Sequence, residues 1–141
     1  MILPDVNVLI YAFRADSPNH QQYREWLDSV VNGDSAYAIC PQVLSSVVRI
    51  ATHRAIFPKP SRLDQTLAFC RVLMTQPHCQ LLQPASRHWS IFADLCRSIE
   101  ASGNLVQDAW FAALAIEHGC EWITADRHYA RFPGLVWRAP F

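Results

Sequence analysis

The chain has 141 residues, of which 51% are hydrophobic, and its 12 basic side chains balance its 12 acidic ones. A chain of this length and apolar content can bury its own core, so we expect one ordered domain over residues 1–141. Its zero net charge disfavours a protein that holds nucleic acid through a strongly basic surface alone.

Membrane insertion, secretion and a disulfide framework are not expected. The longest apolar runs, such as residues 8–13, are far shorter than the ~20 residues of a membrane helix, and no basic residue precedes them. The cysteines are scattered, odd in number and without the spacing of a zinc site. We interpret them as small core residues in a reducing cytoplasm. They are Cys40, Cys70, Cys79, Cys96 and Cys120.

Apolar stretches of strand length alternate with stretches of helical periodicity along the chain. The predicted strands cover residues 1–4, 36–40, 79–83, 121–125 and 135–137. The predicted helices lie between residues 5 and 16, over 19–31, from 41 to before 58, over 61–74, from 86 to 102 and over 104–118. This alternation predicts an α/β fold: a three-layer α/β/α sandwich with a central, mainly parallel sheet of four to five strands. Because helices outnumber strands, two of the crossovers are expected to be helical hairpins.

Particular residues are predicted to mark the starts of these helices. Pro18 is expected in the first turn of the second helix. Ser61 and Ser86 are expected to cap the helices that follow them. Asn104 and Gln107 have the spacing of a capping box.

Asp5 follows directly after the first predicted strand. In open parallel α/β sheets, side chains at the carboxyl ends of the strands point into the crevice where ligands bind. A simpler interpretation is that Asp5 only caps the next helix, by accepting a hydrogen bond from a free amide of its first turn. For Asp5 taken alone, both interpretations remain open.

Asp108 is the informative residue of the last predicted helix. It lies one position too deep to cap that helix, and it shares a face with Ala112 and Ala115, whose small side chains allow a close approach to the sheet. No basic residue stands three or four positions further on. A partly desolvated acid of this kind is either protonated or neutralised from elsewhere in the fold. The alternative is a partly solvated acid on the shoulder of the helix.

Asp126 repeats the arrangement of Asp5, because it follows the fourth predicted strand and precedes a short helical turn at residues 127–131. If both strands are parallel and central, the two acids emerge at the same edge, with Asp108 close by. Two carboxylates about 4 Å apart repel by about 4 kcal/mol, so such a cluster needs a cation or a proton. Oxygen ligands suit Mg²⁺ or Mn²⁺, and carboxylate-held Mg²⁺ is used in phosphodiester hydrolysis.

Three segments, each containing one of these acids, resemble PIN-domain ribonucleases of the VapC toxin type. They are DVNVLIYA at residues 5–12, LVQDA with AALA at residues 105–115, and TAD with RFPGL at residues 124–135. The resemblance spans the chain and implies a PIN-like fold and the toxin of a type II toxin–antitoxin pair. It further implies an Mg²⁺- or Mn²⁺-dependent endoribonuclease acting on structured RNA such as tRNA. Such toxins are usually homodimers inhibited by a small VapB-type antitoxin.

The resemblance also assigns roles to individual positions. Asp5, Asp108 and Asp126 match the catalytic, metal-binding acids. Asn7 matches a frequent supporting polar position, and Thr124 matches a hydroxyl position just before the last acid.

At two positions this chain departs from the family pattern. An acid is expected in a pattern similar to P-x-V-L-x-E, and the run that begins at Pro41 places Ser46 there; a further expected acid is replaced by His128. Ser46 is hypothesised to hold a metal-bound water, and His128 to contact a phosphate or act as an acid. The alternatives are a helix-surface serine and an exposed turn histidine. Glu100 and Asp16 are the other acids considered within reach.

These departures keep other functions open. Fewer carboxylates weaken Mg²⁺ binding and disfavour a two-metal site, so the alternative is a weakly active or inactive PIN domain that mainly binds an antitoxin or RNA. A third class, the receiver-type phosphoacceptor domain, also collects acids at strand ends. That class requires a phosphorylatable acid on a middle strand and a late lysine, whereas the strand at residues 36–40 is followed by Pro41, and Lys59 is the only lysine.

Overall fold

The computed structural model describes residues 1–141 and contains five strands, six α-helices and one 3₁₀ helix. The elements are β1 (Ile2–Pro4), α1 (Val6–Phe13), α2 (His20–Val31), β2 (Tyr37–Ile39), α3 (Pro41–Ala51), α4 (Leu63–Met74), β3 (Cys79–Leu81), α5 (His88–Ile99), α6 (Asn104–His118), β4 (Glu121–Ile123), the 3₁₀ helix (Arg127–Arg131) and β5 (Trp137–Arg138). The predicted α/β architecture is confirmed, and the sheet has five strands.

All neighbouring strands of the sheet are parallel, in the order β3-β2-β1-β4-β5. The chain first builds outward from β1 through β2 to β3, and it then returns to add β4 on the other side of β1. The direction of winding therefore reverses between β1 and β4, which makes their carboxyl ends the topological switch point of the sheet. Pro4 pairs with Ile123 at this end.

Each of the first three crossovers contains two helices. Two helical hairpins were predicted, but there are three. The connection from β4 to β5 contains only the 3₁₀ helix, which leaves six α-helices for the other three connections. The paired helices α1 with α2 and α5 with α6 pack along each other.

The roles predicted for Pro18, Ser61, Ser86 and Asn104 at helix starts were wrong, whereas the cap interpretation of Asp5 is confirmed at α1. Pro18 lies in a turn before α2, which begins after Asn19 in the left-handed region at φ 56°. The Ser61 hydroxyl accepts a hydrogen bond from Arg14 Nη1 at 2.9 Å, so it caps no helix. The residues that precede α4, α5 and α6 are Arg62, Arg87 and Gly103, and none of their side chains caps its helix.

The core lies on both faces of the central strands. Leu3 on β1 and Trp122 on β4 are fully buried, as a parallel sheet covered by helices requires. All five cysteines are free thiols; Cys40, Cys70 and Cys120 are buried, whereas Cys79 and Cys96 are partly buried. On α4, Cys70 and Leu73 are buried in the core, whereas Leu63 and Leu67 are exposed. No helix is both long enough and apolar enough to span a membrane.

Candidate functional site

An open cavity of about 500 Å³ lies at the carboxyl ends of β1 and β4, at the topological switch point. The three acids singled out in the sequence all line it: Asp5 after β1, Asp108 on α6 and Asp126 after β4. Asn7 and Ser46 line the same cavity. The fold thus brings together five predicted site residues from four separate parts of the chain.

Asp5 combines the two roles that the sequence left open. Its Oδ1 accepts a hydrogen bond from the amide of Val6 at 2.6 Å, so it caps α1. Its Oδ2 accepts a hydrogen bond from the Thr124 hydroxyl at 2.6 Å, across the junction between β1 and β4. The side chain is 5% exposed and is fixed at both oxygens.

The Thr124 hydroxyl connects the two strand ends. It donates to Asp5 and accepts hydrogen bonds from the amide of Asp126 at 3.0 Å and from Asn7 Nδ2 at 3.4 Å. Thr124 is fully buried, so these contacts are shielded from water. The Thr124 hydroxyl therefore sets the position of Asp5 relative to the backbone at Asp126, and Asn7 contacts the same hydroxyl.

The electrostatic environment of Asp5 disfavours its charged form. Burial, together with the nearby charges of Asp108 and Asp126, raises the pKa of Asp5 to about 7, although the hydrogen bonds from Thr124 and Val6 act in the opposite direction. A carboxyl group in this state gains from a bound cation or from a proton. No lysine or arginine forms an ion pair with it.

Asp108 is half-buried and also lacks a basic partner in direct contact. Its Oδ1 accepts a hydrogen bond from the Tyr129 hydroxyl at 3.3 Å. Burial and the charge of Asp126 raise the pKa of Asp108, while this hydrogen bond and the more distant Arg131 and His128 lower it. The net effect is again a carboxyl group held above its ordinary pKa.

Asp126 is partly exposed, with 36% of its side chain accessible to solvent. It caps the 3₁₀ helix, because its Oδ1 accepts a hydrogen bond from the amide of His128 at 2.9 Å. The His128 ring also approaches this oxygen, with Nδ1 at 2.9 Å, but 75% of its side chain is exposed and it does not line the cavity. The exposed-turn interpretation of His128 therefore fits the structure.

The two additional acids considered from the sequence do not reach the cavity. Asp16 forms an ion pair with Arg14 at 2.7 Å. Glu100 ends α5 in the left-handed region, with φ at 50°. Neither residue lines the cavity, so the expectation that they lie within reach of the site is wrong.

The donor atoms of the cavity fit a hard divalent cation. Its lining residues include carboxylate, amide and hydroxyl oxygens but no cysteine and no histidine. No group of three or more acid, histidine or cysteine side chains is close enough to hold an ion unaided. The oxygen donors that line the cavity are of the type that Mg²⁺ prefers, whereas a zinc centre draws mainly on cysteine and histidine.

Sequence reasoning missed several residues of the cavity. Tyr129 follows Asp126 by three positions, and burial raises the pKa of its hydroxyl, so that this group remains a hydrogen-bond donor. Arg49 follows Ser46 by one helical turn and reaches the same cavity. Each of these residues lies three positions after a predicted site residue, but neither is among the matched residues of the three segments that resemble the PIN-domain family. Asn104 and Gln107, predicted as a capping box, also line the cavity.

Comparison with known proteins gives a consistent result. The PIN domain family model matches residues 2–135. The chain is 38% identical over 140 residues to the VapC ribonuclease Mb2897 of Mycobacterium bovis. This alignment covers 99% of this chain and 95% of that protein. It is 39% identical over 135 residues to ribonuclease VapC31 of Mycobacterium tuberculosis, covering 96% of this chain and 95% of that protein.

Among solved structures, VapBC2 from Rickettsia felis, bound to a DNA fragment from its promoter, has a similar fold. The TM-score is 0.72 at 18% identity, over 99% of this chain and 98% of the other. At that identity, the similarity supports the fold alone, whereas the family match and the closer sequence relatives identify the group. The chain therefore belongs to the PIN-domain family and, within it, to the VapC ribonucleases.

Proposed function

We propose that this chain is an endoribonuclease that hydrolyses RNA phosphodiester bonds as the toxin of a type II toxin–antitoxin pair. The observation that carries this proposal is the convergence of Asp5, Asp108 and Asp126 on one cavity at the switch point of the sheet. Membership of the VapC ribonucleases supports RNA as the substrate class. Structured RNA such as tRNA is the first substrate to test.

In this proposal, Asp5, Asp108 and Asp126 bind Mg²⁺ or Mn²⁺ and are the catalytic residues. When bound, the ion activates water and stabilises negative charge on phosphoryl oxygens. The hydrogen bonds from Thr124 and Val6 hold Asp5 in a fixed orientation, and Tyr129 does the same for Asp108. The protein therefore supplies acids whose positions are set before substrate arrives.

The proposed partners follow from the same family. A VapB-type antitoxin is the expected inhibitor, since the similar Rickettsia felis structure is of a VapBC assembly. A homodimer is the expected oligomeric state of the toxin. Light scattering of the chain alone and with its antitoxin tests both expectations.

A second candidate function has a specific observation in its favour. Ser46 lines the cavity where the resemblance implies a carboxylate, and the acids do not form a ready-made metal shell. A site with this deficit can bind RNA or antitoxin while cleaving slowly or not at all. Under this alternative, the chain acts mainly by binding.

One experiment separates the two candidates. A panel of RNAs that includes tRNA is incubated with the unsubstituted chain and with the Asp5→Asn and Asp108→Asn variants, in Mg²⁺, in Mn²⁺ and in EDTA. The nuclease proposal expects cleavage that needs the ion and is lost in both variants. Cleavage unaffected by both substitutions refutes the assigned site, and RNA binding without cleavage supports the second candidate.

A further inference from the structure

Arg49 is the only residue with a permanent positive charge among those that line the cavity. It lies in the last turn of α3, one turn beyond Ser46, while the three acids come from strand ends and from α6. The cavity thus contains three carboxylates and, on a different element, one guanidinium. A phosphodiester has the opposite charge to Arg49 and the same charge as the acids.

The Arg49 side chain is free to meet a ligand. Arg49 is exposed, and its guanidinium neither forms an ion pair nor donates a hydrogen bond to the protein. Many of the other arginines are already engaged: five form ion pairs and two donate to backbone carbonyls. The ion-paired residues are Arg14, Arg24, Arg62, Arg97 and Arg138, and the other two are Arg87 and Arg131.

The backbone that carries Arg49 is firmly held. Val43 and Val47, on the inner face of α3, are fully buried in the core. The helix therefore presents residue 49 from a fixed position, and only the side chain needs to be ordered when a ligand binds. A fixed origin lowers the conformational cost of binding and favours one site of contact along an RNA strand.

From this arrangement, we propose that Arg49 binds a backbone phosphate of the RNA strand in the cavity and so positions the scissile bond beside the acids. This inference rests on the proposed ribonuclease function. A guanidinium recognises phosphate through paired N–H donors, and this contact is independent of the base. Arg49 is thus a substrate-binding residue that sets affinity.

The test compares Arg49→Ala and Arg49→Lys with Arg71→Ala. Arg71 is an appropriate control because it is also exposed, lies in the last turn of a helix and is unpaired, but it does not line the cavity. The dissociation constant for a labelled single-stranded RNA is measured in EDTA across a salt series, so that binding is separated from metal-dependent turnover. KM and kcat for RNA cleavage are then measured in Mg²⁺.

Arg49→Ala is expected to raise the dissociation constant and KM by about tenfold, with a smaller change in kcat. The slope of log affinity against log salt should fall by about 0.7 to 1, which corresponds to one lost phosphate contact. Arg49→Lys should recover only part of the affinity, because an ammonium group keeps the positive charge but lacks the paired N–H donors. A role limited to stabilising the end of α3 would move the melting temperature and leave the salt slope unchanged.

The possible failures can be told apart. If the unsubstituted chain cleaves RNA but Arg49→Ala matches Arg71→Ala in affinity, KM and salt slope, this inference is wrong and the proposed function stands. If the unsubstituted chain neither binds RNA in EDTA nor cleaves it in Mg²⁺, both are overturned.

Discussion

Two buried carboxylates in this protein have opposite environments. Asp5 and Glu117 are 5% and 9% exposed, so both have left bulk water. Glu117 Oε2 accepts a hydrogen bond from the amide of Ala85, and its Oε1 accepts one from the amide of Arg87, each at 3.0 Å. His118 lies 3.8 Å from the same carboxylate. Asp5 has a single backbone donor, one hydroxyl donor and two neighbouring acids.

The pKa values of the two groups diverge for this reason. Burial acts to raise the pKa of Glu117, but the two amide hydrogen bonds and the nearby histidines lower it overall. For Asp5, burial and like charge dominate and raise the pKa to about 7. Burial alone therefore does not mark a functional acid. The two acids differ in whether the protein supplies enough hydrogen-bond donors to stabilise the buried negative charge. Glu117 has such donors, whereas the charge on Asp5 needs a bound cation or a proton.

The largest expected difference between these two acids is in catalysis. Asp5→Asn should lower kcat for RNA cleavage by a factor of about 10² to 10³, because it removes a negative charge proposed to hold the ion. Glu117→Gln should leave kcat within about twofold, since Glu117 does not line the cavity. Single-turnover cleavage assays measure both values. Equal losses in the two variants would remove the functional distinction between the acids.

The next effect is on folding. Glu117→Gln should lower the free energy of unfolding by about 2 kcal/mol at neutral pH, because it weakens two charge-assisted hydrogen bonds that tie the segment before α5 to α6. Urea titration measures this change. A Gln variant as stable as the unsubstituted chain would show that the carboxylate charge contributes nothing at this position.

Asp5 and Glu117 should change the free energy of unfolding in opposite directions as the pH rises. For Asp5, the folded chain retains a proton that the unfolded chain loses, so stability falls as pH rises from the ordinary value of 3.8 towards 7. The metal-free Asp5→Asn variant should therefore be about 1 to 2 kcal/mol more stable at pH 8, after allowance for a weakened Thr124 contact. For Glu117, whose pKa is lowered, the stabilisation is present above the ordinary pKa and is lost as pH falls.

Urea titrations at several pH values test this pair of signs. Glu117→Gln is the matched comparison, since its stability deficit should shrink on acidification. An Asp5→Asn variant that is less stable than the unsubstituted chain at pH 8 would contradict the unfavourable charge assigned to Asp5.

The smallest effect is that of the ion on stability. Mg²⁺ at ten times its dissociation constant should raise the free energy of unfolding by about 1.4 kcal/mol in the unsubstituted chain and in Glu117→Gln. Asp5→Asn should show little or no rise at the same concentration. Thermal melts with and without Mg²⁺ measure it. A rise of equal size in all three proteins would place the ion elsewhere.

The periodicity of the sequence was sufficient to predict the main elements and the position of the acids. Strand and helix patterns depend on local burial, so β1, α3 and α6 could be read directly from runs of apolar residues. The acids were found because each follows a strand or occupies an apolar helix face without a local partner. Parallel pairing then requires Asp5 and Asp126 to share an edge.

The errors have a different physical origin. Ser61, Asn104 and Gln107 were assigned to local caps, but Ser61 accepts from Arg14 across 47 positions, and the other two face the cavity. Long-range contacts of this kind leave no periodic signal. The same limitation explains why Tyr129 and Arg49 were missed, since their importance depends on the cavity that they share with residues far along the chain.

The hydrogen bond between Thr124 and Asp5 joins residues 119 positions apart. One partner follows β1 and the other follows β4, so this contact exists only while these two parallel strands are paired. Neither half of the fold can place Asp5 by itself. For a protein proposed to cut RNA, any event that separates β1 from β4 would therefore disperse the acids and stop cleavage, even if the individual helices stayed folded.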